Sequence, residues 1–335
     1  MMMTRRHLTF GLALLLLVGL CCGELSAEGR REWVDGQWVQ SAPPAEGTAE
    51  GELSLVRDLY DVAHYSKVVK AARKFTERYP DSDAYEEVCL LAGQAEMQRH
   101  RYFQAYEWFE KQLDQFPAGR YSDRALQHEY DVAEAFLGGA KRIVFGALRL
   151  NATDEALEIL SRVAEHAPGT ELAARCLVRV GDHYYDRRQW VDAAEAYDVL
   201  LRLMPHSPRA EHAMLRAAQA TYASFEGLAF DDTPLLDAEQ RFASFAATYP
   251  AAADRAGVAQ TLRQIAATRA EKLLSTARFY ERTHKPSAAA FYYRQCMTEL
   301  PQTASAGAAR EALCRLGEIA PVRPATPLPL KEDTN

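Results

Sequence analysis

The densest grouping of reactive side chains in this 335-residue sequence is Asp182-His183, with Asp186 four positions on. Two carboxylates one helical turn apart share a face, a spacing that could orient an imidazole or supply part of a metal shell. A metal site needs a closed set of ligands, and no such set can be assembled around the trio. Asp182, His183 and Asp186 therefore read as polar residues lining a groove. The sequence holds no G-x-S-x-G and no H-E-x-x-H, and Gly138-Gly139-Ala140-Lys141 lacks the flanking glycine and the Ser or Thr of a phosphate loop. No catalytic residue, metal or cofactor is assigned, and the reading is of a protein that is not an enzyme.

A second kind of chemistry is covalent attachment. Arg5 and Arg6 precede an apolar run from Phe10 to Leu20, the length of a signal-peptide core and too short to span a bilayer. Val18-Gly19-Leu20-Cys21 resembles the lipobox of bacterial lipoproteins, which makes Cys21 the acyl acceptor; cleavage after Gly23 or after Ala27 is the alternative. Of the other cysteines, Cys89, Cys176 and Cys296 fall at apolar positions within helical stretches and read as small buried side chains, and no C-x-x-C pair occurs.

The elements that carry these residues are set by a repeat. Six prolines each follow a helical stretch: Tyr79-Pro80, Phe116-Pro117, Ala167-Pro168, Met204-Pro205, Tyr249-Pro250 and Leu300-Pro301, spaced by 37, 51, 37, 45 and 51 residues. Proline cannot continue a helix, and a period of roughly 34 to 50 residues built from helix pairs is the mark of tetratricopeptide-type arrays. Three units share one register. Gly93, Gly181 and Ala277 each precede a small residue, Ala105, Ala193 and Ala289, by twelve positions and an aromatic, Phe109, Tyr197 and Tyr293, by sixteen. The small residues suit helices that cross closely and the aromatics suit the space between them. The fold class is thus all-α, a tetratricopeptide-like solenoid of about six helix pairs in a right-handed stack. A short N-terminal β-hairpin at Glu32–Val39, turning at Asp35-Gly36, precedes it.

The domain plan is a leader over 1–23, an arm and linker over 24–51, the solenoid over 52–319 with helices starting near Glu52, and a Pro-rich tail over 320–335. Two units carry insertions, one from Ile143 to Leu150 and one from Phe225 to Pro234, where Thr233 is expected as N-cap. Their apolar residues are expected to fold back as local core, with Phe145, Leu148 and Leu228 as the candidates for partner docking should they stay exposed. The net charge is −7, or −9 once Arg5 and Arg6 are removed with the leader. Acids and bases are read as interspersed along every helix, which argues against nucleic acid as a ligand. A groove lined by Gln94, Met97, Asp182, Tyr185 and Asp186 is expected to receive a peptide, because Met and aromatic side chains beside polar ones make an adaptable surface.

From Cys176 to Leu316 the sequence resembles the BamD (YfiO) family, tetratricopeptide lipoproteins of bacterial outer-membrane assembly. The resemblance rests on Met204-Pro205-His206-Ser207-Pro208, on the interruption ending Asp231-Asp232-Thr233-Pro234, and on Arg241-Phe242-Ala243-Ser244-Phe245 running to Tyr249-Pro250. It continues through Ala270-Glu271-Lys272, Ala277-Arg278-Phe279-Tyr280 and Ala288-Ala289 to Leu300-Pro301. It implies a scaffold lipid-anchored at the periplasmic face of the outer membrane, or otherwise soluble in the periplasm, that docks on a BamA-like β-barrel assembly protein and receives unfolded outer-membrane proteins. The alternative is a periplasmic repeat adaptor for cell-wall synthesis or division. Near the family's docking arginine stands Tyr292; Arg294, two residues on, lies about 200° round an ideal helix.

Overall fold

The computed structural model describes residues 31–34, 37–40, 45, 47–144 and 148–319. The leader with Cys21, the turn at Asp35-Gly36, Phe145 and the tail from 320 lie outside the described residues. Two compact units meet at Ser122/Asp123. The first holds a hairpin, β1 (Arg31–Val34) and β2 (Gln37–Gln40), antiparallel with Val34 opposite Gln37, then α1 (Ala49–Asp61), α2 (Tyr65–Arg78), α3 (Tyr85–Gln98) and α4 (Tyr102–Gln115). The second begins with α5 (Ser122–Leu137), a hairpin of β3 (Lys141–Val144) and β4 (Leu148–Asn151), and α6 (Thr153–His166). It continues with α7 (Glu171–Asp186), α8 (Trp190–Leu203), α9 (Ala210–Ala223), α10 (Thr233–Thr248), the short α11 (Pro250–Arg255), α12 (Val258–Arg282), α13 (Pro286–Glu299) and α14 (Ala304–Arg315). Helices α1 to α4 pack on one another in succession, as do α6 to α14, and α1 also touches α3 as α12 touches α14, the neighbour pattern of stacked helix pairs.

Each of the six prolines sits where the repeat reading puts it. The residues before them, Tyr79, Phe116, Ala167, Met204, Tyr249 and Leu300, are the C-caps of α2, α4, α6, α8, α10 and α13, with φ from −120° to −139°. A residue before proline is pushed out of the helical region, so the last hydrogen bond is the cap's own N–H to the carbonyl four back, as from Tyr79 to Phe75. Six other helices, α1, α3, α5, α7, α12 and α14, end differently. Ala63, His100, Arg188 and His284 take φ of 56° to 60°, and Gly139 and Gly317 take 100° and 75°. In all six the next residue donates back across the turn, for example Arg101 N–H to Glu96 O and Gln189 N–H to Tyr184 O, which is the Schellman closure.

The core follows the register of small residue and aromatic. A Cβ on Gly181 would stand 2.6 Å from Tyr197 Cε1, and one on Gly93 would stand 2.3 Å from Phe109 Cε1. Tyr197, Phe109 and Tyr293 are fully or almost fully buried, as are Ala105, Ala193, Ala277 and Ala289. Cys89, Cys176 and Cys296 are buried free thiols, and burial pushes Cys89 and Cys176 up to about 12, where they stay protonated.

Several expectations are corrected. The first helix starts at Ala49, capped by Thr48, whose hydroxyl accepts from Gly51 N–H at 3.1 Å. Thr233 is the first residue of α10 rather than its N-cap, which is Asp232. The insertion at 143–150 does not fold back: it pairs with itself as β3–β4, and β4 is exposed along its whole length, leaving Leu148 and Leu150 at 54% and 43% exposure. In the other insertion Phe225 packs on the core while Leu228 and Phe230 remain exposed.

Two substitutions test this framework. Gly181→Ala is expected to cost about 1–3 kcal/mol by forcing the Tyr197 ring aside, and Tyr197→Leu should relieve part of that cost, so thermal denaturation of the double variant shows less than the sum. Ala63→Gly is expected to raise stability by about 0.5–1 kcal/mol, since an L-residue in the left-handed region costs about 1–2 kcal/mol and glycine's extra chain entropy returns part of it; an unchanged or lower melting temperature would contradict the assigned backbone.

Candidate functional site

The polar residues singled out on α7 do not act as one cluster. Asp182 and Tyr185 face α9, Asp186 is exposed in the last turn, and His183 turns inward and is buried. The reason is helical: His183 lies about 100° from Asp182, which places it on the packed side with the buried Cys176. Burial and the charges of Arg187 and Arg179 hold its pKa below the ordinary histidine value. Among the described residues no group of His, Cys, Asp and Glu is arranged to hold a metal.

Asp182 is held by three neighbours. Tyr197 of α8 donates its hydroxyl to Asp182 Oδ1 at 2.6 Å, and His212 Nε2 of α9 lies 3.3 Å from the same oxygen. Burial pushes the carboxyl up, yet the hydrogen bonds of His212 and Tyr197 and the charges of His212 and Arg216 outweigh it, leaving Asp182 below the usual aspartate range. Tyr185 is clasped from both sides: the Arg216 guanidinium stands 4.3 Å from its ring centroid, and Trp190 meets it edge-on at 5.1 Å. The surface thus carries an aromatic pair, one cation and two carboxylates on α7, α8 and α9. His212, Arg216 and Trp190 were not anticipated; the signal for them is the spacing of 30 and 31 residues from Asp182 to His212 and from Tyr185 to Arg216, one repeat on, with the two α9 residues a helical turn apart.

Gln94 and Met97 lie half-buried on α3, in the first unit. In the last pair, Tyr292 stacks on Tyr280 with centroids 5.4 Å apart and planes at 5°, flanked by the exposed Phe279 and Phe291. Arg294 is engaged with Glu318.

Antiparallel helix pairs closed by small-residue crossings and proline stops define a tetratricopeptide-type repeat protein. The profile of the family described as YfiO, outer membrane lipoprotein, matches residues 143–320, more than half of the chain, and the chain belongs to that family. No curated protein sequence matches. Similar solved structures include a tetratricopeptide repeat protein from Parabacteroides merdae, 12% identical over 79% of this chain and 97% of that one with a TM-score of 0.33. The type IV pilus biogenesis factor PilW is 15% identical over 79% of this chain and 100% of that one, with a TM-score of 0.27.

The buried histidine sets a pH dependence. Because the folded state holds His183 neutral below its unfolded value of about 6.5, the unfolded chain binds more protons as pH falls through that value, and stability declines. The Asp182 contribution has the opposite protonation preference and is lost only lower, as pH falls below about 4. Urea titrations should show stability falling between neutral pH and pH 5, with His183→Gln flattening that decline; an identical slope in the variant would remove His183 as its source.

Proposed function

We propose that this chain is a periplasmic scaffold in the assembly of outer-membrane β-barrel proteins, anchored through a lipid on Cys21, docking a BamA-like partner and receiving unfolded barrel polypeptides on its repeat helices. Family membership over 143–320 carries this reading. The surface of Tyr185, Trp190 and Arg216 within that span supports it, since a few aromatic and arginine anchors dominate recognition of a polypeptide segment. Asp186 adds an exposed charge beside them. Met97 and Gln94 supply a similar adaptable surface on α3. No helix among the described residues is long and apolar enough to cross a membrane, so the anchor in this reading is the acyl group on Cys21.

The test is crosslinking in intact cells with a photoreactive residue at Asp186, followed by identification of the captured proteins. Barrel precursors and the barrel assembly protein are expected; recovery of peptidoglycan synthases instead would move the chain to the cell-wall adaptor role. Tyr185→Ala combined with Met97→Ala should weaken capture of a barrel-protein terminal peptide about tenfold or more. Fractionation adds an independent check: Cys21→Ser should release the protein to the soluble periplasm while Cys22→Ser leaves it on the membrane. A parent protein that is already soluble would sink the lipid anchor without touching the groove.

A further inference from the structure

The acids and bases of this chain are not evenly mixed. On a protein of net charge −7, α2 carries Lys67, Lys70, Arg73, Lys74 and Arg78 against one acid, Glu77. All five cations are exposed. Lys67, Lys70, Lys74 and Arg78 recur at three and four residues, within about 80° of one helical face, and form a line about 16 Å long at 1.5 Å per residue. The helix's other face is buried through Val68, Val69, Ala72 and Phe75, so the line cannot turn inward.

At the N-terminal end of this line Lys70 and Arg73 border a cleft of about 210 Å³ together with Ser66 of α2, Arg99 at the end of α3 and Arg101 at the start of α4. The one acid in its wall is Glu96, which is 1% exposed and already engaged by Arg99 at 2.9 Å. Four cations thus surround one neutralised carboxylate. The opposite end differs: Glu52 and Glu77 share a cleft with Lys74 and Arg78 and offset them. The excess of positive charge is concentrated from Lys67 to Arg73 and continues into Arg101.

We propose that this face of the first unit is a binding surface for anionic phospholipid headgroups, with the cleft between α2 and the turn from α3 to α4 taking a headgroup phosphate. A pocket of this size fits a phosphate group, and guanidinium and ammonium groups are its natural donors. Lys67, exposed beside the pocket, adds a further cation to those that line it, which suits a charged headgroup surface better than a single free anion, since each cation at an anionic surface adds to the attraction. The surface does not depend on Cys21, so it goes beyond the function proposed above and stands or falls separately from it.

The test uses the full chain and vesicles of phosphatidylcholine alone or mixed with phosphatidylglycerol. An acyl contribution is common to both, and the leader cations Arg5 and Arg6 are unchanged in every variant, so the preference lost on charge reversal within α2 reads this face. Cosedimentation at low salt is expected to favour the mixed vesicles about tenfold or more, a preference that should vanish near 1 M salt, where the screening length is about 3 Å. Lys67→Glu, Lys70→Glu and Arg73→Glu together should abolish the preference at unchanged circular dichroism, whereas Lys67→Arg, Lys70→Arg and Arg73→Lys should keep it. Equal binding to both vesicle types, or a preference that survives the charge reversal, overturns the proposal. So does displacement by millimolar inorganic phosphate, which would mark a free-anion site.

Discussion

The constraint on which the helix pairs depend is the contact between a small residue, glycine at two crossings and alanine at a third, and a ring sixteen positions later. Gly181 leaves room for Tyr197, Gly93 for Phe109, and at the third such crossing Ala277 sits with Tyr293. In each case the ring is fully or almost fully buried between the two helices, so its position decides how closely they approach. The same ring then organises polar chemistry at the surface. The Tyr197 hydroxyl reaches Asp182 and the Tyr293 hydroxyl reaches Glu281, each at 2.6 Å, so a carboxylate on the first helix is fixed by a side chain whose body lies in the core. Phe109 has no hydroxyl, and its pair lacks this link.

Successive pairs are then joined by charge. Arg57 and Glu87 form two parallel bonds of 2.6 Å, Arg241 and Asp198 bonds of 2.7 and 2.6 Å, and Arg179 meets Glu134 at 2.7 Å. These partners lie 30, 43 and 45 residues apart, on consecutive helix pairs. Most are partly exposed, so each contributes only modestly to stability. Their geometry is more informative than their energy: a planar arginine fork meeting a carboxylate admits one orientation, and this sets the register between one pair and the next after burial has brought them together.

What could be read from the sequence is what one-dimensional spacing encodes. Proline placement gave all six helix ends because proline acts on its own backbone and on the residue before it. The Gly-to-aromatic interval gave the crossings because it is the same interval each time. Spacing alone could not say how an insertion would be paired, and the run through Leu148 and Leu150 satisfied its backbone as a hairpin at the expense of exposing apolar side chains. His183 was misplaced because neighbours in sequence were treated as neighbours on a helix face. The cations of α2 were overlooked because a count along the chain mixes the two faces, while only the solvent face matters to a ligand. Arg216 and His212 escaped notice because their role depends on contact between consecutive pairs.

The side chains of the candidate groove differ in how free they are to bind. Asp182 is committed to Tyr197 and His212, and breaking the bond to a buried tyrosine hydroxyl would leave a polar group unsatisfied, at about 1–3 kcal/mol. Arg216 over Tyr185 is a different matter: a partly exposed cation on a ring is worth only about 0.5–1 kcal/mol. An incoming segment can therefore displace Arg216 at small cost, gain the uncovered Tyr185 face, and leave the guanidinium free for a backbone carbonyl or a carboxylate of the segment. Nothing in this exchange opens the crossing at Gly181, because the ring that seals it is fully buried and its hydroxyl is bonded to Asp182. The rigid part of the site and the adjustable part are thus adjacent on one helix, separated by a single turn.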